Sequence, residues 1–144
     1  MTETPQGPPP ATRHKLPDER DAVTIKFRVG EEKGYMTVGL FPDGSPGELF
    51  IHWDKQGSTV GGLLDGVAIA ISIGLQAGVP LETYCDKLAR MRFPPEGWSR
   101  RDEIGYASSV LDAAARILKA RFYGVDPGPV PSAPDAPDDL GAAP

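Results

Sequence analysis

Residues 55–79, Lys-Gln-Gly-Ser-Thr-Val-Gly-Gly-Leu-Leu-Asp-Gly-Val-Ala-Ile-Ala-Ile-Ser-Ile-Gly-Leu-Gln-Ala-Gly-Val, form the longest apolar run in the chain. A run of this length has to be covered, either by a bilayer or by the rest of a folded domain. Asp65 interrupts it, glycines at 61, 62, 66, 74 and 78 punctuate it, and no basic cluster flanks it. It therefore reads as the central helix of a globular domain, and no membrane association is expected. Val60, Leu63, Leu64, Val67, Ile71 and Leu75 recur at helical spacing, with Ala68 and Ala70 beside them. Ile69 and Ile73 widen the stripe until the helix is apolar almost all round, which predicts burial on more than one side. Ser58 or Thr59 supplies an N-cap, and Gly78 followed by Pro80 marks the stop.

The segment ahead of this helix reads as sheet. From Ala22 to Val29, Val23, Ile25, Phe27 and Val29 alternate with Thr24, Lys26 and Arg28, the pattern of a half-buried strand. Gly30 to Gly34 is a polar turn. Tyr35 to Phe41 repeats the alternation with Met36, Val38 and Leu40, and Pro42 to Gly47 is dense in turn formers. Glu48 to Trp53 sets Leu49, Ile51 and Trp53 against Phe50 and His52. Three strands with short connections predict an antiparallel meander with one face to be covered.

Beyond the central helix, Pro80 to Arg90 places Leu81, Tyr84, Cys85 and Leu88 on one helical face. Met91 to Arg100 reads as a loop. A third helix is expected from Ser99 or Asp102 to about Tyr123, ended by Gly124. The order βββααα predicts an α+β domain with its helices on one face of the sheet.

Proline sets the domain limits. Four of the 16 prolines fall in residues 1–10 and six in residues 127–144. This predicts a disordered N-terminal tail over 1–21, a folded unit over 22–124, and a disordered Pro/Ala/Asp-rich tail over 125–144. The net charge of −5 argues against general binding to nucleic acid or anionic membrane, while leaving room for a local basic patch. One cysteine excludes an internal disulfide and a cysteine-based metal cluster, and suits a reducing cytoplasm. Residues 1–21 lack the charge and apolar pattern of a secretory signal.

The strongest ligand candidate is the mouth of the central helix: Lys55, Gly57, Ser58 and Thr59. Helix-start N–H groups, hydroxyls and a lysine favour an anion, although the spacing is not that of a phosphate-binding Walker loop. The competing reading is a turn with an ordinary cap. Asp65, if buried, must be paired or protonated, and serves either as a ligand contact or as an internal partner. Arg92 and Arg100 belong to a basic stretch with Lys87, Arg90 and Arg101, interleaved with Phe93 and Trp98. That stretch is either a phosphate or nucleic-acid contact or a solvated rim whose aromatics pack inward. His14 and His52 suggest no metal site, and Cys85 reads as a buried thiol.

Several ordered stretches carry a family resemblance. They are Gly34-Tyr35-Met36-Thr37-Val38-Gly39-Leu40, Asp43-Gly44-x-Pro46-Gly47-Glu48-Leu49-Phe50-Ile51 and Lys55-x-Gly57-Ser58-Thr59-x-x-Gly62-Leu63-x-Asp65. The match continues through Ile71-Ser72-x-Gly74-Leu75-Gln76-x-Gly78-Val79-Pro80-Leu81-Glu82 and Arg92-Phe93-x-Pro95. Across about residues 22–122 the chain resembles the TSCPD-type domain at the C-terminus of adenosylcobalamin-dependent (class II) ribonucleotide reductases. The resemblance implies an accessory role in deoxyribonucleotide metabolism, binding a nucleotide, a nucleic acid or a reductase-like partner. It does not imply ribonucleotide reduction by this chain, because the family's catalytic barrel, its radical and reducing cysteines and its cysteine-rich tail are not here. Adenosylcobalamin is accordingly expected only in the related full-length enzymes, with no cofactor on this chain. The alternative expectation is a structural module that forms a homodimer through an open sheet edge and surplus apolar surface.

Overall fold

A computed structural model describes residues 7–54 and 58–124. Lys55, Gly57 and the segment 125–144 lie outside the described residues. The first three strands are β1 (Ala22–Val29), β2 (Glu32–Leu40) and β3 (Pro46–Trp53). They pair in the order β1-β2-β3, antiparallel throughout, with a register shift between Gly39 and Leu40. Alternation assigns the faces as expected: Ile25, Phe27, Val29, Met36, Val38, Leu49, Ile51 and Trp53 point into the core.

Helix α1 spans Thr59–Gln76 and α2 spans Leu81–Leu88. Two short strands follow, β4 (Gly97–Trp98) and β5 (Tyr106–Ala107), paired with each other, and then α3 (Val110–Tyr123). The α+β order of a three-stranded meander and three helices is as expected. The third helix is shorter than expected: Gly105 takes φ +63°, and the cap is Ser109, whose side chain accepts from Asp112 N–H. Strand β5 and the turn before it occupy residues that the helical spacing had claimed, while β4 falls in the expected loop. Gly124, at φ +61°, ends α3.

The roles of the helices also differ from expectation. The enclosed helix is α3, in which every residue from Val110 to Leu118 is buried. Its run of Ala113, Ala114 and Ala115 lets it lie close between the sheet and α2. Among the described residues, helix α1 is covered on one side only, through Leu64, Ala68, Ile71, Leu75 and Gln76. The cause is its position against β3, a strand at the edge of the sheet. Ser72 Oγ accepts from Leu49 N–H (2.8 Å), and Gln76 Nε2 donates to the Gly47 carbonyl (3.0 Å). Side chains of α1 thereby occupy backbone groups that an edge strand would leave unpaired.

The β1 edge is also occupied. Arg101 Nη1 donates to the Lys26 carbonyl (3.2 Å), and Gly30 N–H donates to the Trp98 carbonyl (3.0 Å). The open edge expected to drive dimerisation is thus covered on both sides at these points. Residues 13–21, expected to trail loosely, are tied to the domain. Arg13 Nε donates to Gln76 Oε1 (2.8 Å), His14 N–H to the Gln76 carbonyl (2.8 Å), and Arg20 pairs with Glu48 (2.6 Å).

Among the described residues α1 alone is long and apolar enough to cross a membrane by length and composition. Its hydrogen bonds to β3 and its buried face assign it a place on the sheet.

Candidate functional site

At the mouth of α1, Ser58 adopts an extended backbone and its Oγ accepts from Gly61 N–H (3.0 Å), the N-cap expected from the sequence. A cleft of about 520 Å³ opens beside it, lined by Ile51, His52, Trp53, Ser58, Gly61, Gly62 and Asp65. The structure thus brings two of the sequence candidates, Ser58 and Asp65, into one cleft and adds His52. Thr59 is exposed and does not line it. Asp65 is exposed too, so burial places no demand on it for a partner. The cleft's polar groups are a carboxylate, an imidazole and a hydroxyl already engaged as a cap. They suit a hydrogen-bond donor better than a phosphate, which would face Asp65.

Arg92 and Arg100 lie elsewhere, on the loop between α2 and β5. Arg92 pairs with Glu96 (3.1 Å), and Arg101 pairs with Glu103 (2.6 Å). The interleaved aromatics are used in packing: Phe93 rests against the core, and Trp98 meets Tyr106 edge-on at 5.8 Å. Of the five cations in this stretch, Arg92 and Arg101 thus pair with neighbouring carboxylates, and the aromatics pack inward.

Two groups not singled out from sequence hold that loop in place. Asp112 and Arg116 are buried on α3, 2.8 Å apart. Asp112 also accepts from the N–H groups of Arg90 and Ser108, while Arg116 donates to the carbonyls of Ile104 and Tyr106. Burial pushes the Asp112 carboxyl up, but the Arg116 guanidinium and the two N–H groups outweigh it and hold it below the usual carboxylate range. An Asp and an Arg at i, i+4 inside an otherwise apolar helical run was the signal for this pair.

Cys85 is buried, and burial first, with Asp86 adding to it, pushes its thiol up to about 12. Among the described residues, no group of three or more His, Cys, Asp or Glu converges as a metal site would require.

The outer face of the sheet carries an arrangement that only strand register reveals. Tyr35 and His52 sit opposite each other on β2 and β3, and their rings stack at 5.0 Å and 20°. Phe50, two residues from His52 on the same face, is 54% exposed.

Comparison with known proteins adds ancestry. The TSCPD domain family matches residues 7–122. A vitamin B12-dependent ribonucleotide reductase of Rhodopirellula baltica is 46% identical over 110 residues, which cover 76% of this chain and 11% of that one. The protein of the same name in Streptomyces clavuligerus is 44% identical over 110 residues, again 76% of this chain and 11% of the relative. In Streptantibioticus cattleyicolor the match is also 44%, covering 18% of that protein. The chain therefore spans only a small part of the curated relatives it matches. No solved structure matches. With the family covering most of its length, including the segment ahead of β1, the chain belongs to the TSCPD domain family.

Proposed function

We propose that this chain is a non-catalytic accessory domain of deoxyribonucleotide metabolism, docking on the catalytic body of a vitamin B12-dependent ribonucleotide reductase through the outward face of α1. The observation that carries the reading is the bare state of that face. Gly62, Gly66, Ile69 and Ile73 recur at i, i+4, i+7 and i+11 and so share one side of the helix. A side chain at Gly62 or Gly66 would meet nothing within 4 Å, and Leu63 and Ile69 are 66% and 62% exposed. A glycine floor flanked by branched apolar side chains lets another element approach closely, and covering it returns hydrophobic free energy that the isolated domain forgoes.

The reductase body is the preferred occupant because the matching segment is 11% of the first relatives' length, leaving most of each relative as the surface on which such a unit would rest. The cytoplasm is the compartment this role requires. No catalytic role is proposed for Cys85, the one cysteine, which is buried with its thiol pushed up to about 12. No cofactor is proposed for this chain; among the described residues, the clefts beside α1 and beside β2 measure about 520 and 400 Å³, the range of drug-sized pockets.

A second reading shares the same face. Apart from Asp65 at its margin it is apolar, so it is compatible with a twofold copy of itself, as a homodimer requires. One experiment separates the two: mixing the full chain with a reductase lacking its own TSCPD segment, followed by sedimentation velocity. A mixed complex that Leu63→Lys with Ile69→Lys abolishes supports docking in trans. Self-association alone transfers the face to the homodimer. A chain that stays monomeric in both settings overturns both readings.

A further inference from the structure

We infer that the outer face of the β1-β2-β3 sheet is a binding platform for single-stranded nucleic acid, with Tyr35, His52 and Phe50 as base-stacking surfaces and Lys26, Arg28 and Lys33 as phosphate contacts. Register sets the residues in rows across the sheet. Lys26 lies opposite Tyr35, which lies opposite His52; Thr24 lies opposite Thr37, which lies opposite Phe50. Arg28 lies opposite Lys33. Each row is two residues from the next, about 6.7 Å along the strands. The face therefore offers two aromatic stations in successive rows, with cations along the neighbouring strand.

The aromatic stations are open. Tyr35 is 43% and Phe50 is 54% exposed, while the inward aromatics Phe27 and Trp53 are each 3% exposed. A strand surface that keeps aromatic rings in water, on the side away from the helices, is not using them to build the core. Tyr35 and His52 stack nearly parallel, at 20°, and so present their rings together. Flat sheets bearing exposed aromatics are suited to unpaired bases, because every base has a π-face and can be splayed onto a ring.

Charge points to the same occupant. Lys26, Arg28 and Lys33 form no ion pair among the described residues. Of the nearby carboxylates, Glu48 is neutralised by Arg20 at 2.6 Å, Asp54 lies at the corner, and Glu31 and Glu32 lie at the β1–β2 turn next to Arg28 and Lys33. The chain's acidity lies elsewhere. Residues 22–124 carry twelve acidic and twelve basic side chains, whereas residues 125–144 carry four acidic and none basic. The net charge of −5 therefore does not describe this surface. An acidic peptide would satisfy the cations but would give the rings nothing planar to stack on. A free nucleotide belongs in a concave pocket, and this face is open. A duplex keeps its bases stacked on one another and out of reach.

The inference goes beyond docking on a reductase and is tested without one, so either can fail alone. Fluorescence anisotropy of a labelled twelve-nucleotide single strand, titrated with the full chain at low salt, is the measurement. Saturable binding is expected, with a log–log salt slope of about −2 for three phosphates on a single strand. Phe50→Ser and Tyr35→Ser should each weaken binding about tenfold or more, with the cooperative thermal melt retained because neither ring belongs to the buried core. Lys26→Gln or Lys33→Gln should make the slope shallower by about 0.7. A poly-glutamate peptide of equal charge, a duplex of the same length and a free nucleotide should compete poorly. Absence of saturable binding, equal binding of duplex or poly-glutamate, binding of free nucleotide alone, or affinity untouched by Phe50→Ser would each overturn the assignment.

Discussion

Phe27 and Trp53 belong to strands that are not neighbours, yet their rings meet at a centroid distance of 5.5 Å across Gly34. Gly34 sits between them in the ladder, opposite Phe27 on one side and Trp53 on the other. The missing side chain is what allows the contact. A Cβ there would lie 2.3 Å from the His52 carbonyl oxygen and 2.7 Å from Trp53 Cε3.

Gly34→Ala is therefore expected to destabilise the domain by about 3 kcal/mol, at the upper end for overpacking, since a paired backbone carbonyl cannot move aside. Gly62→Ala is the matched control. Nothing lies within 4 Å of its Cβ position, so the exchange should stabilise α1 by up to about 1 kcal/mol through helix propensity. Thermal melts of the two variants should move in opposite directions; a common direction would refute the role given to Gly34.

The Asp112–Arg116 pair yields a second prediction. Both side chains are buried, and between them they bind four backbone groups of residues 90–108. Arg116→Met leaves a buried carboxylate without its counter-charge and should cost about 3–5 kcal/mol. Replacing both members with apolar residues should not restore stability, because the N–H groups of Arg90 and Ser108 would then be stranded.

The same carboxylate makes a pH prediction. The folded-state pKa of Asp112 is lowered from 3.8, so the unfolded chain binds its proton more readily. Its contribution is fully present above that unfolded value and is lost as pH falls through the folded one. Acid unfolding monitored by tryptophan fluorescence should begin at higher pH in Arg116→Met, where the guanidinium is gone and only the Arg90 and Ser108 N–H groups still oppose burial.

Much of this fold was legible, and the misreadings share a cause. The limits of β1 follow from a strict alternation ending at Gly30, and a cap at Ser58 or Thr59 follows from hydroxyls before an apolar run, with Ser58 the one used. Helical spacing through Ile104 and Ala107 also suggested an early start for α3. Spacing cannot register that Gly105 has positive φ or that Tyr106 pairs with Trp98. The apolarity of α1 was equally plain, but composition measures what a helix would tolerate around it, and the number of neighbours is set by where it docks. A helix against an edge strand has few. The pairing of Tyr35 with His52 depends on the β2–β3 register, which the turn at Pro42–Gly47 leaves open in sequence.

Cys85 should be inert in the folded protein. Its thiol is buried among α2, α3 and β3 side chains and is pushed up to about 12 by that burial. At pH 8 a thiol-reactive dye should label the native chain only through unfolding, at a rate that rises with denaturant, and should label the unfolded chain fully. Rapid labelling of native protein would show that α2 does not hold the packing described.

Ser72 gives the sharpest test of how the sheet edge is protected. Its Oγ accepts from Leu49 N–H at 2.8 Å and lies 3.1 Å from the Leu49 carbonyl, while Gln76 takes the Gly47 carbonyl four residues further along the same helix. Ser72→Ala removes the partner of a half-buried N–H and should cost about 1–3 kcal/mol, set mainly by the desolvated group left behind. Hydrogen exchange locates the effect. The Leu49 amide should exchange faster in Ser72→Ala, while the Met36 amide on the enclosed strand changes only with global stability. Removing Gln76 as well should free enough of β3 to accept a foreign strand, so the double variant should assemble with rising concentration where the parent does not by this route. If Leu49 exchange is unmoved by Ser72→Ala, α1 protects that edge by steric cover alone.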